Sequence, residues 1–367
     1  MLAPMPEIRI VIAGGGTGGH IIPAVAIANE LRTSCEAHIL FIGTPRGLES
    51  RLVPQAGYDL SLIQVGQLKN VSLLTRARTL LDLPRSIIHC RALLRRFRPH
   101  AVIGVGGYAS GPAMAAAILD RIPTLAFEPN AYPGLANRLV GKYVSAAAVN
   151  FEAAARYFRN PQVTGIPVRE EFFQLPHRPR GAPPHLLIFG GSQGARVLNT
   201  LMPEVAPLLL AAVPGLTIIH QAGARQAKDT LAAYMASDAP ASRWQVYEFL
   251  DDMPRQFAAA DLVLCRSGAS TVAELAAAGK PSLLIPFPQA ADDHQRKNAE
   301  ALVEAGAARM LLEADVTKDI LLESLVSLLT FRPALDKMSA RARKLAHPDA
   351  TRSIVEMVLT LRQNHVK

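Results

Sequence analysis

A short apolar strand followed by a glycine-rich loop and a helix occurs twice in this sequence, near the start of each half. Residues 8–13 (IRIVIA) run into the loop GGGTGGH at 14–20, and residues 185–189 (HLLIF) run into GGSQG at 190–194. This arrangement is typical of a parallel βαβ unit, because glycines allow the tight turn at the carboxyl end of the strand. The repetition therefore predicts two similar α/β domains with a cleft between them.

The length of 367 residues also agrees with two domains. The alternation of strands and helices breaks near residues 165–169, and the stretch that follows is rich in proline and arginine, which is typical of a linker. We therefore predict an N-terminal domain, a linker, a C-terminal domain and a final helix that packs back toward the N-terminal domain, over residues 1–168, 169–184, 185–348 and 349–367 respectively.

Residues 261–304 contain a β-loop-α-β-loop-α unit whose two polar loops, at 266–270 and 289–294, follow adjacent parallel strands. The carboxyl edge of such a sheet is where ligands bind in open α/β folds. The loops favour a polar, phosphate-bearing ligand, although their spacing alone does not identify it. His294 and Gln295, which open the second helix, are either ordinary polar residues of a helix start or contacts to that ligand.

Glu274 has two interpretations. Thr271 and Glu274 have the spacing of a capping box, in which the glutamate only closes the start of the helix. Alternatively, the carboxylate accepts two hydrogen bonds from a vicinal diol such as a ribose. The spacing by itself favours the cap.

The first glycine loop formally matches the dinucleotide fingerprint, with Gly14, Gly16 and Gly19 in register. That fingerprint also requires an acidic residue at the end of the second strand, where this chain has Gly-Thr at 43–44. A nicotinamide dinucleotide is therefore disfavoured. His20, at the mouth of the loop, is either a cap or packed side chain, or a general base.

The overall charge favours an anionic partner, because 39 lysines and arginines stand against 30 acids. Aromatic residues make up only 5% of the chain and no RNA-binding motif is present, so we expect no nucleic acid. The three cysteines are scattered, without the spacing of a zinc site or disulfide framework. Neither a signal-peptide pattern nor the apolar run of about 18 residues that a membrane span needs is present, so we expect a soluble or peripheral protein.

Residues 67–100 are strongly basic, and leucines and isoleucines are interleaved among the cations at helical spacing. The pattern is either a solvated basic face above a core-packing stripe or a basic amphipathic surface lying on anionic lipid. The single acid of the segment is Asp82, and its eight cations are Lys69, Arg76, Arg78, Arg85, Arg91, Arg95, Arg96 and Arg98.

Five motifs together resemble the MurG family in order and spacing. They are GGTGGH at 15–20, GGYASGP at 106–112, GGSQGA at 190–195, CRSGA at 265–269 and HQ at 294–295. The resemblance covers nearly the whole chain, and members of this family are bacterial peptidoglycan glycosyltransferases that make lipid II from lipid I. It implies an α/β protein with the GT-B glycosyltransferase fold, in which two Rossmann-like domains have parallel sheets that face each other across a cleft.

The resemblance also implies which residues of the C-terminal half contact the donor, UDP-N-acetylglucosamine. Arg169 and Ser192 would bind the nucleotide, and Leu250 would present backbone groups to the uracil. Glu274 would bind the ribose, which reverses the preference for a simple cap, and Gln295 would contact the sugar hydroxyls. The start of the helix after the CRSGA motif would bind the diphosphate through amides of Ala269 and Ser270, with Thr271 adjoining them.

In the N-terminal half, the resemblance implies that the acceptor lipid I binds the second glycine loop, at Gly106, Gly107, Tyr108 and Ser110. The transferring sugar would lie against the first loop, at Thr17, Gly18 and Gly19, and Asn130 would contact it from the acceptor side. Many family members have His-Glu-Gln-Asn where this chain has Phe-Glu-Pro-Asn at 127–130. This difference leaves His20 and Glu128 as the candidate catalytic bases.

The implied reaction is an inverting transfer, in which the 4-hydroxyl of the acceptor's N-acetylmuramoyl unit attacks the anomeric carbon and UDP leaves from the opposite face. We expect no cofactor and no metal, because loop amides around Ser192 and Ala269 can stabilise the leaving diphosphate and the acid pairs at 251–252 and 292–293 lack a third ligand. The implied setting is the cytoplasmic face of the bacterial inner membrane, with lipid I in that leaflet and an anionic membrane surface as partners of a peripheral protein. The alternatives are another GT-B UDP-sugar transferase with a lipid acceptor, a UDP-N-acetylglucosamine 2-epimerase, or a catalytically silent membrane-binding adaptor.

Overall fold

The computed structural model describes residues 8–65, 73–176, 178–179, 181–191 and 193–366, with the side chains of 73–81 and 364–366 excepted. Ser192 and Lys69 lie outside this described part, as do the side chains of Arg76 and Arg78. The chain divides into two compact units, Met1–Pro167 with Asp349–Lys367 (unit 1) and Val168–Pro348 (unit 2).

Unit 1 contains a seven-stranded parallel sheet in the order β3-β2-β1-β4-β5-β6-β7. Strands β4, β5 and β6 are buried at every position because helices cover both faces, which explains their continuous apolar sequences. The strands are β1 (Arg9–Ala13), β2 (His38–Gly43), β3 (Asp59–Leu62), β4 (Ala101–Gly104), β5 (Thr124–Glu128), β6 (Ala146–Val149) and β7 (Pro161–Val163). The helices between them are α1 (Gly18–Cys35), α2 (Glu49–Gln55), α3 (Leu73–Phe97), α4 (Ser110–Leu119), α5 (Leu135–Val140) and α6 (Glu152–Ala155).

Unit 2 contains a six-stranded parallel sheet in the order β10-β9-β8-β11-β12-β13. Its strands are β8 (His185–Phe189), β9 (Thr217–Gln221), β10 (Trp244–Tyr247), β11 (Leu262–Cys265), β12 (Ser282–Leu284) and β13 (Ala308–Met310). Its helices are α7 (Arg196–Ala212), α8 (Ala227–Met235), α9 (Met253–Ala259), α10 (Ala269–Ala278), α11 (His294–Glu304), α12 (Lys318–Thr330) and α13 (Arg332–Arg343).

The last helix, α14 (Ala350–Val366), belongs to unit 1, where it packs on α1 and on the β4, β5 and β6 strands. The segment expected as a linker falls within unit 2, on which it packs. Phe172 is fully buried with its ring 5.1 Å from that of Phe257, and Arg178 forms an ion pair with Asp261 at 2.9 Å. Apolar and ionic anchors therefore fasten the proline-rich stretch to the second unit.

Both sheets have the strand order of a doubly wound dinucleotide-type fold, so the prediction of two Rossmann-like α/β domains is confirmed. The first helix begins at Gly18, inside the glycine-rich loop, which leaves Pro23 within the helix and places His20 in its first turn. Within the described ranges, no helix is both long and apolar enough to cross a bilayer.

Candidate active site

The strand order reverses between β1 and β4 in unit 1 and between β8 and β11 in unit 2, and the glycine loops follow these four strands. Such reversal points open a crevice at the carboxyl edge of the sheet, because the neighbouring connections leave toward opposite faces. Each unit therefore places its glycine motifs where α/β proteins bind ligands. The predicted site residues divide between these two positions.

In unit 1, the two glycine loops pack backbone against backbone. The amide of Gly15 donates to the carbonyl oxygen of Gly106 at 3.1 Å. A Cβ added to Gly14 would lie 2.1 Å from that same oxygen, and one added to Gly107 would lie 2.4 Å from the carbonyl oxygen of Gly15. Only glycine permits this contact, and the positive φ angles of Gly14 (137°) and Gly107 (80°) reinforce the requirement.

His20 lies where the two loops meet. Its Nδ1 is 3.2 Å from the hydroxyl oxygen of Thr17, the residue that precedes α1. A Cβ on Gly106 would come within 3.0 Å of His20 Nε2, so the imidazole covers the Cα of that glycine. The structure thus brings Thr17, Gly18, Gly19 and His20 together in one helical turn beside the second loop.

Glu128 is 2% exposed, and its carboxylate is fully engaged inside the protein. Oε1 accepts from the backbone amide and the side-chain amide of Asn130, at 2.9 and 3.0 Å. Oε2 accepts from the Gly134 amide and from Asn137 Nδ2, both at 3.0 Å. Burial raises the pKa of Glu128, against these four hydrogen bonds, which lower it. Glu128 therefore holds the 128–137 loop together, and each of its carboxylate oxygens already accepts two hydrogen bonds.

The second glycine loop leads into α4 through residues with positive φ at Gly106 (88°) and Gly107 (80°). Tyr108 is exposed, whereas Ser110 is buried. The Ser110 hydroxyl has no hydrogen-bond partner in the part of the chain that the structure describes. The start of α4 therefore combines unpaired helix amides with an unsatisfied hydroxyl, an arrangement suited to an anionic oxygen.

Unit 2 repeats the close approach of glycine loops. A Cβ on Gly194 would lie 1.9 Å from the carbonyl oxygen of Ala222, and Gly194 has a φ of 75°. Gln221 donates from Nε2 to the carbonyl oxygen of Gly191 at 3.2 Å. The position predicted for Ser192 lies in this loop, beyond what the structure describes. Arg169, by contrast, is placed with its guanidinium 5.1 Å from the ring of Phe172.

A buried polar chain that sequence reasoning missed supports this loop. Asn199 donates through Nδ2 to the carbonyl oxygen of Ala222 (2.8 Å) and to Gln226 Oε1 (2.7 Å). Its Oδ1 must then accept from Nε2 of His220 (3.0 Å), and Nδ1 of the same ring accepts from the Tyr234 hydroxyl (3.3 Å). Burial lowers the pKa of His220 to about 3, which keeps the ring neutral.

The helix after the CRSGA motif corrects one prediction. Helix α10 begins at Ala269 with Gly268 before it, and no side chain caps it, so the Thr271–Glu274 capping box is wrong. Thr271 and Glu274 lie inside the helix, because glycine in an extended conformation starts it two residues earlier. Ser270, in the first turn, has a buried hydroxyl without a hydrogen-bond partner among the described residues. The first turn of α10 thus offers free amides and a free hydroxyl.

Glu274 is partly buried and makes no hydrogen bond within the described residues. Burial raises its pKa to about 7, and the nearby guanidinium of Arg169 acts in the opposite direction. A carboxylate left without internal donors in a partly dry site is suited to accept hydrogen bonds from a ligand.

Gln295 joins the two polar loops of unit 2. Its Oε1 accepts from the amides of Ser267 (3.3 Å) and Phe287 (3.0 Å), and its own carbonyl oxygen accepts from the Ser267 hydroxyl (2.8 Å). The side-chain oxygen is therefore used internally, whereas the NH₂ group has no acceptor among the described residues. Leu250 is buried just after β10.

Both acid pairs lie just before helices, at 251–252 before α9 and at 292–293 before α11. Asp252 caps α9 by accepting from the amide of Arg255 at 3.1 Å, while Asp292 and Asp293 adopt left-handed φ angles of 53° and 56° in the turn before α11. Across the described ranges, no group of three or more His, Cys, Asp or Glu side chains is placed to hold a metal ion.

Comparison with known proteins gives the same picture across the whole chain. The glycosyltransferase family 28 N-terminal domain matches residues 10–149, and the family 28 C-terminal domain matches residues 185–354. The UDP-N-acetylglucosamine–N-acetylmuramyl-(pentapeptide) pyrophosphoryl-undecaprenol N-acetylglucosamine transferase of Solibacter usitatus is 42% identical over 357 residues, which cover 97% of this chain and 96% of that protein. The crystal structure of Acinetobacter baumannii MurG has a TM-score of 0.84 at 31% identity and covers 96% of this chain and 100% of its own. A UDP-N-acetylglucosamine 2-epimerase structure has a TM-score of 0.64 at 14% identity, with 96% of each chain covered, which shows a shared fold alone.

Proposed function

Because the chain belongs to glycosyltransferase family 28, as a member of its MurG family, we propose that it transfers N-acetylglucosamine from UDP-N-acetylglucosamine to lipid I. The acceptor is the 4-hydroxyl of the N-acetylmuramoyl unit of undecaprenyl-pyrophosphoryl-N-acetylmuramoyl-pentapeptide, and the product is lipid II of peptidoglycan synthesis. The observation that carries the proposal is the 42% identity over nearly the full length. The fold alone would not suffice, since an epimerase shares it at 14% identity.

We assign the donor to the carboxyl edge of the unit 2 sheet. The diphosphate binds the first turn of α10, where Ala269 and Ser270 supply amides and the Ser270 hydroxyl lacks an internal partner among the described residues. Glu274, in the next turn, accepts from the ribose hydroxyls, and the NH₂ group of Gln295 donates to the sugar. The remaining nucleotide contacts are Arg169, Ser192, the backbone of Leu250 and Thr271.

The base is His20 of unit 1. When the 4-hydroxyl attacks the anomeric carbon, its proton passes to a ring nitrogen, the C–O bond to the diphosphate breaks, and UDP takes the electron pair. The hydrogen bond between Thr17 and Nδ1 orients the ring. Gly18, Gly19 and Asn130 line the sugar, and Glu128 holds Asn130 in place.

The acceptor diphosphate is assigned to the second glycine loop and the start of α4. The amides of Gly106, Gly107 and Tyr108 donate no hydrogen bond within the described residues, and the buried Ser110 hydroxyl is unpaired there as well. These donors can bind the anionic oxygens that link the sugar to the polyprenyl chain.

The face formed by α3 and α4 is proposed to lie on anionic lipid in the cytoplasmic leaflet of the inner membrane. Ile88 on α3 and Leu119 at the end of α4 are 65% and 61% exposed. Arg91 and Arg95, which follow Ile88 by three and seven positions on α3, both pair with Asp120, the residue directly after Leu119. Exposed apolar groups with adjacent cations favour reversible surface binding. Lipid II made there would supply wall growth, and hence cell shape and division.

The test is a single incubation of the purified protein with UDP-N-acetylglucosamine and a lipid I analogue. We expect a disaccharide-lipid product and one UDP released per product. Formation of the C2 epimer without acceptor would indicate an epimerase, and UDP-sugar binding without any turnover would indicate an adaptor. Transfer to other lipids in preference to the lipid I analogue would indicate a different lipid glycosyltransferase.

A further inference from the structure

The first glycine loop resembles a phosphate-binding loop in sequence, but the amides of its first three residues, 14–16, are already engaged. The amides of residues 14–16 donate in order to the carbonyl oxygen of Ile42 (3.0 Å), the carbonyl oxygen of Gly106 (3.1 Å) and Oε2 of Glu49 (2.6 Å). A phosphate approaching this part of the loop would find no amide to bind. It would also approach the carboxylate behind the loop.

Glu49, at the start of α2, is that carboxylate. It is 1% exposed, and besides the Gly16 amide it accepts from the amide and the hydroxyl of Thr44 through Oε1, both at 2.9 Å. It forms no ion pair within the described residues. A buried carboxylate satisfied only by backbone and hydroxyl donors fixes those donors in space, because moving any of them would leave its charge unsolvated.

Three glycines make room for the Glu49 side chain. A Cβ on Gly15, Gly43 or Gly47 would come within 2.5, 2.5 and 2.0 Å of it respectively. These positions lie on three separate segments, the first glycine loop, the end of β2 and the turn before α2. The surroundings of Glu49 are therefore shaped to hold this one side chain against the loop.

The second glycine loop is arranged in the opposite way. The amides of residues 106–108 make no hydrogen bond in the described part of the chain, and the Ser110 hydroxyl at the start of α4 is buried without a partner there. No carboxylate accepts from this loop among the described residues. The segments that begin the two loops, 14–16 and 106–108, thus differ in the donors they offer, and within the described residues a buried carboxylate accepts only from the first.

We propose that Glu49 is a positioning residue that fixes the first glycine loop, with His20 on it, as a site for the uncharged hydroxyl of the acceptor, and that the acceptor's diphosphate is confined to the second loop. The inference rests on the proposed transferase function. The physical reason is that like charge excludes phosphate from the neighbourhood of Glu49, while a rigid loop keeps the His20 ring within reach of the hydroxyl.

The kinetic test is Glu49→Gln. Glutamine keeps the size of the side chain, but its NH₂ group must face a backbone N–H at either Gly16 or Thr44, so one hydrogen bond is replaced by a repulsive contact. We expect kcat to fall by roughly 10- to 100-fold, since the base is displaced. The Kd of UDP should stay within about twofold, because the contacts assigned to the nucleotide lie in unit 2. Glu152→Gln, the same change on an exposed glutamate of unit 1, is the control and should leave kcat unchanged.

A second variant reaches the same side chain from another element. Gly47→Ala places a methyl group against Glu49 Oε2 and should produce the same fall in kcat with the same unchanged UDP affinity. Activity is measured well below the unfolding temperature of each variant. If Glu49→Gln or Gly47→Ala lowers only that temperature and the folded protein keeps wild-type kcat, Glu49 has a merely structural role and the proposal is overturned.

The assignment of the acceptor hydroxyl to the first loop and of its diphosphate to the second is tested with inorganic pyrophosphate. Pyrophosphate serves as an inhibitor that competes with the lipid acceptor. Ser110→Ala should weaken this inhibition several-fold, whereas Glu49→Gln should not weaken it. The reverse result would place the phosphate on the first loop and refute the proposal. Wild-type product formation in the same assay judges the transferase function separately, because the inference depends only on the ratio of each variant to wild type.

Discussion

Glu274→Gln should stabilise the unliganded protein at alkaline pH while weakening its binding of UDP. Burial raises the pKa of Glu274 from 4.5 to about 7, so the folded state keeps a proton that the unfolded state has lost between these two values. Stability therefore falls as the pH rises through this window, and the loss is complete above the folded pKa. A tenfold change in proton affinity corresponds to about 1.36 kcal/mol, so the ionised side chain costs about 3 kcal/mol at pH 8.

Glutamine is neutral at every pH, so the variant escapes this cost. At pH 5 most of the cost is absent from the wild type as well, and the two proteins should differ little. Between pH 5 and pH 8, we expect the stability advantage of the variant to grow by about 2 to 3 kcal/mol. With saturating UDP, the stability advantage of the variant over the wild type should shrink. The ionised carboxylate of the wild type accepts hydrogen bonds from the ribose diol, and the variant loses about 1–3 kcal/mol of that interaction.

The assay is urea unfolding followed by tryptophan fluorescence, with UDP affinity measured by titration calorimetry. Trp244 is the only tryptophan of the chain, is 8% exposed and lies with its ring 4.8 Å from that of Tyr234, so its signal reports on unit 2, which carries Glu274. Glu323→Gln, on the exposed face of α12, is the matched control and should show no such pH dependence. An equal effect of Glu274→Gln at pH 5 and pH 8 would show that the carboxyl is not the titrating group, and unchanged UDP affinity would remove it from the donor site.

Three further predictions concern the base, the nucleotide loop and the membrane face. His20→Ala should lower kcat roughly 10²- to 10⁴-fold and leave UDP affinity intact, since the residue contributes only to proton transfer. If the variant keeps activity within a few-fold of wild type, the base is another residue. Gly194→Ala should weaken UDP binding and lower the free energy of unfolding by about 1–3 kcal/mol, because the residue has positive φ and the new methyl group would clash with a backbone carbonyl. Normal UDP binding by calorimetry would contradict this prediction. The triple variant Arg85→Gln, Ile88→Ser, Arg96→Gln should co-sediment less with anionic vesicles than wild type does, and wild-type binding should weaken as salt rises.

The vesicle experiment includes neutral lipid, on which wild type should bind weakly, and Arg159→Gln as an exposed-cation control in the same unit. Equal binding of the triple variant and wild type to anionic vesicles would show that this face of α3 is only solvated. Arg91 is left unchanged in the variant, since its ion pair with Asp120 makes its loss a structural perturbation.

The sequence by itself determined the architecture and the family, and it predicted where the two sites lie. Strand and helix periods, together with glycines at turns, are local properties, so the apolar run at 8–13 and the loop after it could be recognised without any neighbour. The motifs at 15–20, 106–112, 190–195, 265–269 and 294–295 were sufficient for the MurG resemblance, which the family match and the relatives confirm.

Only the tertiary structure decided the hydrogen bonding and burial of individual side chains, because these depend on groups that are distant in the chain. Glu49 meets Gly16 from 33 positions away, and its three flanking glycines come from separate segments, so nothing at position 49 alone indicates a buried carboxylate. The four donors around Glu128 and the burial that raises the pKa of Glu274 arise in the same way. The capping box at Thr271 failed because Gly268 starts the helix first. Hydrogen bonding and desolvation are set by which atoms surround a group in space, and spacing along the chain does not specify those atoms.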